Sequence, residues 1–130
     1  MTDMRRFYKE LGNLFYAIAA ADKGIGPIER KKLDDEVQFA WRHYDHTADR
    51  FGTDRAFLIE FEFEAMEDEM VSAEDAYKSF EDYFEESKKQ IDQPTRKRIY
   101  NSALHIAESI RKVNVAEHKY LIRLKKLMKM

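Results

Sequence analysis

The 130-residue chain contains no cysteine, only four glycines and two prolines, and no hydrophobic run long enough to span a membrane. The lack of cysteine excludes disulfides, thiol catalysis and cysteine-ligated zinc. Four glycines and two prolines are too few for the turns of a many-stranded β-sandwich or barrel. The first residues do not follow the pattern of a signal peptide, so we expect a cytoplasmic protein.

The residues that are present indicate one heavily charged globular domain. Hydrophobic residues make up 44% of the chain and charged residues 37%, which is a globular composition. We expect a single domain over residues 1–130, a length that can bury a core without disulfides or metals. Apolar residues recur at intervals of three and four over most of the sequence. This spacing predicts an all-α fold, a compact bundle of about six helices.

Start and stop signals place the six helices. The first two predicted helices cover residues 3–21 and 27–46, and the third and fourth start at Thr53 and Ser72. The fifth covers residues 94–112, and the sixth starts at Asn114. Ile28 and Phe61 are assigned to the inward faces of the second and third helices. Residues 57–65 also alternate in the manner of a strand, but a lone strand would have no partner, so a helix is favoured.

Charge is unevenly distributed along the chain, although the net charge is only −2. Residues 54–92 hold 14 acidic and 4 basic residues, and residues 93–130 hold 10 basic and 2 acidic residues. Two interpretations stay open: the two poles are solvated or face each other, or one pole binds a partner of opposite charge. The candidate partner-binding residues are Glu67, Asp68, Glu69, Glu74, Lys119, Arg123 and Lys126.

The basic C-terminal end allows three interpretations. Residues 121–130 combine apolar and basic side chains in a helical register, which fits a docked helix with a solvated basic face, a helix lying on a membrane surface, or a nucleic-acid contact. A membrane-surface helix would lack aromatic anchors near its end. A pI of about 6.1 is low for a nucleic-acid-binding domain. We therefore expect no nucleic-acid partner, while peripheral membrane contact stays open.

The chain repeats a short pattern at a separation of 88 residues. The matched pairs are Ile18 and Ile106, Ala19 and Ala107, Ile25 and Val113, Glu29 and Glu117, and Leu33 and Leu121. Each copy has a helix that ends in small apolar residues, a loop with one apolar residue, and a helix that begins with a carboxylate able to cap exposed amides. We therefore predict two pseudo-repeated helix–loop–helix units that pack as a pseudo-symmetric pair.

The loop of the first copy reads Ala20-Ala21-Asp22-Lys23-Gly24-Ile25-Gly26-Pro27-Ile28-Glu29. This segment resembles the TerB family, the tellurite-resistance-associated helical domain, in its alanines, its Asp, its Ile, its Pro and the Glu that begins the next helix. Lys23-Gly24 departs from the Asp-Gly order of the family, and the second copy has Ile110 in place of Asp22. The resemblance implies a helical bundle from a bacterial, cytoplasmic, stress-associated family without established catalytic chemistry.

Two groups of side chains are candidates for binding a metal. Asp22 and Glu29 bracket the loop, and the resemblance suggests a divalent cation there, although the residues between them lack the oxygen ligands of an EF-hand. The alternative is that both carboxylates cap backbone amides. The second group, which either gathers around a transition metal or forms a polar helix end, is His43, Asp45, His46 and Asp49. No other cofactor is expected.

The sequence contains none of the motifs of nucleophilic catalysis: it has no Gly-x-Ser-x-Gly turn and no phosphate-binding glycine loop. We expect a non-catalytic, stress-associated interaction module whose acidic residues engage a divalent cation or a basic protein partner. The alternative is an adaptor that docks on a membrane surface or a nucleic acid through the basic C-terminal helix. An enzyme that uses His43 and His46 with a metal is a third hypothesis.

Overall fold

The computed structural model describes residues 3–21, 25–42, 44, 52–109 and 115–129. All the regular secondary structure in these ranges is helical, which confirms the predicted all-α fold. The helices are α1 (Met4–Ala20), α2 (Pro27–Glu36), α3 (Leu58–Asp68), α4 (Ala73–Ser87), α5 (Gln93–Ala107) and α6 (Val115–Leu127). A π-helical turn, Val37–Trp41, continues α2, and 3₁₀ turns precede α3 (Gly52–Phe57) and follow α4 (Lys88–Gln90).

Side-chain caps fix where three helices begin. The Asp3 carboxylate accepts hydrogen bonds from the first backbone amides of α1. Ser72 Oγ accepts from the Asp75 amide at 3.0 Å, as predicted for the start of α4. Asp92 accepts from the Thr95 amide at 2.9 Å at the start of α5. Because these caps satisfy amides that have no partner within the helix, the helices begin at these residues.

A left-handed residue ends α3. Met70 has a φ of 55°, and the Val71 amide behind it donates to the Met66 carbonyl oxygen at 3.0 Å. This hydrogen bond has the pattern of a Schellman C-cap, which satisfies a carbonyl that the helix leaves free. The chain therefore turns sharply between α3 and α4.

Helix α1 lies at the centre of the bundle. It contacts α3, α4, α5 and α6, and every residue from 11 to 19 is buried. Helix α4 contributes the stripe that the sequence predicts: Ala76, Tyr77, Phe80, Tyr83 and Phe84 are all buried. None of the described helices has the length and apolarity required to cross a membrane.

The repeated pattern occupies matching places in the fold. Helix α1 of the first unit packs against α5 of the second unit. Helix α1 also contacts α6, and α5 also contacts α2. Ile18 and Ile106 are fully buried, and Leu33 and Leu121 are nearly so. Ile25 is half-buried and packs against the core, whereas its counterpart Val113 lies outside the described residues. These placements support the predicted pairing of two helix–loop–helix units.

Two inward assignments were wrong, and helix geometry explains one of them. Phe61 is 64% exposed, whereas Ile59 and Phe63 on the same helix are buried. Residues 59 and 63 are one turn apart and share a face, whereas residue 61 is rotated by about 200° from residue 59. Ile28, at the start of α2, is 62% exposed.

Two predicted helix ends lie elsewhere in the structure. Helix α5 ends at Ala107, with a turn after it, and not near residue 112. The helical path of α2 and its π-helical turn ends at Trp41 and not near residue 46. The candidate metal-binding residues His43, Asp45, His46 and Asp49 lie outside the described residues.

Candidate functional site: an acidic groove between α2 and α3

Helices α2 and α3 line a groove of about 470 Å³ whose polar surface is almost entirely acidic. Its apolar lining is Leu33 and Phe63, which are both buried. Its five carboxylates belong to Asp34, Glu60, Glu64, Glu67 and Asp68. The four on α3 follow a spacing of four, three and one, which places them along one face of the helix. We call this feature the acidic groove.

One arginine of the chain already binds in the acidic groove. The Arg30 guanidinium donates from Nε to Glu67 Oε1 at 3.3 Å and from a terminal nitrogen to Glu67 Oε2. The hydrogen bond and the negative charge of Glu67 raise the pKa of Arg30. Two parallel donors on two carboxylate oxygens form the fork geometry that distinguishes arginine from lysine. The acidic groove therefore has a shape that accepts a guanidinium.

The rest of the groove holds crowded carboxylates. Burial, followed by a hydrogen bond to Asp34 and the negative charges of Asp34 and Glu64, together raise the pKa of Glu60 to about 7. Burial is the main cause of this rise, and the like charges of Asp34 and Glu64 add to it, in a groove whose five carboxylates face one arginine. A positively charged ligand would relieve this repulsion.

Replacing Glu60 by glutamine is expected to increase the free energy of unfolding at pH 8. In the folded chain Glu60 keeps its proton up to about pH 7, whereas an unfolded glutamate loses it near pH ~4.3. Stability therefore falls as the pH rises between these values, and glutamine removes this loss. After allowance for solvent screening at a partly exposed site, we expect a gain of about 1 kcal/mol at pH 8 and a smaller one at pH 5.

Urea denaturation of the two chains at both pH values measures this difference. The matched control is Glu85→Gln on the exposed side of α4, which should give the same stability change at both pH values. If the stability gained by Glu60→Gln does not grow with pH, the raised pKa of Glu60 is contradicted.

Of the two predicted metal ligands, only Glu29 lies within the described residues. Glu29 is 3% exposed, and its Oε1 accepts the Gly26 amide at 3.1 Å, as expected for a helix-capping carboxylate. Asp22 lies outside the described residues. Within the ranges that the structure describes, no group of three or more Asp, Glu or His side chains is placed to hold a metal ion.

The acidic residues predicted to bind a partner fall into different environments. Glu67 and Asp68 line the acidic groove, and Glu69 is exposed in the turn after α3. Glu74 lies on α4 and accepts two hydrogen bonds from Arg123 of α6, at 2.7 and 3.1 Å. The acidic segment of the sequence is therefore divided, because Glu67 of α3 binds Arg30 of α2, whereas Glu74 of α4 binds Arg123 of α6.

The basic residues predicted to bind a partner differ in whether they already pair with acidic residues of the chain. Arg123 binds Glu74, lies 3.8 Å from Glu81, and has its guanidinium carbon 4.3 Å from the Tyr77 ring centroid. Lys119 and Lys126 are exposed. The apolar face of α6 is packed in the core through Tyr120, Leu121 and Leu124, and Met128, directly after the helix, is also buried. This packing leaves mainly lysines for a contact with another surface.

Sequence reasoning missed Arg30 and Asp34 as members of the site. They are four residues apart on α2, so one helical face carries both. That spacing is visible in the sequence, but it does not reveal that this face of α2 lies beside α3. Comparisons of the chain with protein-family models, with curated proteins and with solved structures gave no match.

Proposed function

We propose that the chain is a non-catalytic, TerB-like interaction module of a stress-associated kind that binds an arginine-rich segment of a protein partner in the acidic groove. The observation that carries the proposal is the forked Arg30–Glu67 contact within a groove of five carboxylates. One guanidinium is already bound there, and four further carboxylates line the same groove, where burial and neighbouring acidic groups raise the pKa of Glu60 to about 7.

The distribution of the carboxylates favours a peptide over a metal ion. A divalent cation needs several oxygen ligands within about 2.0–2.6 Å of one point, and the described residues form no such cluster. In contrast, side chains that follow α3 from Glu60 to Asp68 extend over more than two helical turns. Positive charges spaced along an extended segment match this arrangement better than one point charge does.

The TerB resemblance fits this proposal at two of its positions. Ile25 packs against the core, and Glu29, in the first turn of α2, accepts the Gly26 amide, so the motif has a structural role at both positions. Residues that pack or cap leave binding to the neighbouring surfaces, and α2 is one of the two helices that line the acidic groove.

A fluorescence-anisotropy titration with a labelled 12-residue peptide containing six arginines tests the proposal. The double variant Glu64→Lys/Asp68→Lys should weaken binding at least 10-fold, because both exposed carboxylates line the groove. The control Asp82→Lys/Glu85→Lys makes the same change in net charge at exposed sites on α4 and should weaken binding less than 3-fold. A six-lysine peptide should bind the unmodified chain more weakly, because lysine cannot form the fork.

Three outcomes would refute the proposal. Equal loss of binding in the two double variants would show attraction to overall charge only. Equal affinity for the arginine and lysine peptides would remove the role of the fork. No saturable binding at an ionic strength of about 0.15 M, where surface charges are screened beyond about 8 Å, would remove the site itself.

A further inference from the structure

A buried polar network joins α2 to α5 away from the acidic groove. Trp41 Nε1 donates to Ser102 Oγ at 3.0 Å, and Ser102 Oγ donates to Glu36 Oε1 at 2.7 Å. The second carboxylate oxygen of Glu36 lies 3.0 Å from His105 Nδ1. Ser102 and Glu36 are 1% and 8% exposed. The network therefore holds a carboxylate in a fixed position inside the protein.

This network fixes the orientation of the His105 ring. Because the carboxylate of Glu36 only accepts hydrogen bonds, the proton of a neutral His105 lies on Nδ1. Nε2 is then left with a free lone pair, or with a second N–H when the ring is protonated. Nε2 has no hydrogen-bond partner among the residues that the structure describes, and the His105 side chain is 49% exposed.

Two cavities meet at His105. The larger, of about 560 Å³, has Pro27 and the exposed Ile28 as its apolar wall, and its charged lining is mixed: Lys31, Lys32, Asp35 and Glu108. The smaller, of about 300 Å³, is lined on α5 by Lys97, Arg98, Asn101 and His105. Neither Lys97 nor Asn101 has a hydrogen-bond or ion-pair partner in the described part of the chain. The larger cavity thus offers apolar surface, and the smaller cavity offers hydrogen-bond donors that no described residue uses.

We propose that this cleft between α2 and α5 binds an amphipathic organic anion, with its carboxylate or phosphate head at His105, Lys97 and Asn101 and its apolar body against Ile28 and Pro27. The lysines of the larger cavity are already paired, Lys31 with Asp35 at 3.6 Å and Lys32 with Glu36 at 4.0 Å, whereas Lys97 is not paired with any described residue, which favours the smaller cavity for the head. The combined volume falls in the range of small-molecule sites, about 300–1,000 Å³. A bound apolar body would also cover Ile28, which the fold leaves 62% exposed.

Titration of the full chain with sodium octanoate, followed by NMR of the Ile28 methyl groups and the His105 ring, tests the site. We expect saturable shifts of both residues, with octanoate at least 10-fold tighter than 1-octanol or octylammonium, which share its chain but not its charge. His105→Gln, which keeps an amide donor for Glu36, and Lys97→Glu should each weaken octanoate at least 5-fold. Octyl phosphate in place of octanoate distinguishes a phosphate preference from a carboxylate preference.

Matched controls separate the site from general effects. Lys126→Glu makes the same charge change as Lys97→Glu on exposed α6, and Phe39→Ala removes another exposed apolar side chain; both should bind octanoate normally. Thermal melting establishes that His105→Gln is folded. The proposal is overturned if octanol or octylammonium binds as tightly as octanoate, if Ile28 and His105 do not shift, or if the control variants lose affinity equally.

Discussion

Replacing Trp41 by alanine is expected to lower the free energy of unfolding by about 4 kcal/mol. The Trp41 side chain is fully buried, and its ring meets Phe7 and Tyr44 edge-on, at centroid distances of 5.8 and 5.3 Å. Alanine leaves a cavity between these rings and also deprives Ser102 of a donor. Urea denaturation monitored by far-ultraviolet circular dichroism measures the loss.

Two further substitutions make the Trp41 result diagnostic. Trp41→Phe keeps most of the ring volume but removes the indole N–H, so its cost should be smaller, at about 1–2 kcal/mol. Phe39→Ala lies two residues away and removes an aromatic ring that is 87% exposed, so stability should change by less than about 0.5 kcal/mol. Similar losses for Trp41→Ala and Phe39→Ala would contradict the placement of the π-helical turn.

Replacing Gly12 by alanine is expected to destabilise the chain by about 2 kcal/mol, although alanine is the better helix former. A Cβ atom at Gly12 would lie 2.6 Å from the Ile59 carbonyl oxygen and 2.9 Å from Glu62 Cβ. Because the nearest of these atoms belongs to the backbone of α3, the two helices must separate, which places the overpacking cost at the upper end of the usual range, about 3 kcal/mol. The intrinsic helix propensity acts in the opposite direction, by about 1 kcal/mol.

The sign of the Gly12→Ala effect is therefore the test. Thermal and urea denaturation should both show destabilisation if α1 and α3 cross as closely as the structure has them. Lys9→Ala, on the exposed side of the same helix, controls for general effects on α1 and should be nearly neutral. A Gly12→Ala chain that is more stable than the unmodified one would contradict the close crossing.

Local signals in the sequence were sufficient for most of the helical architecture. The cap at Ser72 and the apolar stripe of α4 depend on residues within one or two turns of each other, and both predictions are confirmed. The assignment of Phe61 failed because residues 57–65 offer two apolar faces at helical spacing, Phe57 with Phe61 and Ile59 with Phe63. Only the packing of α3 against α1, where Phe63 meets Tyr16, decides between the two faces.

Neither candidate site could be predicted from the sequence, because both depend on contacts between residues that are far apart in the chain. The acidic groove depends on α2 lying beside α3, with Arg30 bound to Glu67 across 37 residues of chain. The polar network depends on Glu36 and His105, which are 69 residues apart. Charge counts located the acidic segment, but only the packing of the helices determines which carboxylates share a groove and which bind Arg123.

An NMR titration of the full chain with the six-arginine peptide tests the proposed role of the acidic groove most directly. Backbone amide shifts report the position of the peptide without any substitution. We expect saturable shifts at Asp34, Glu64 and Asp68, with little change at the equally exposed acidic residues Asp82 and Glu85 of α4. Shifts spread evenly over all acidic surfaces, or centred on α4, would contradict the account.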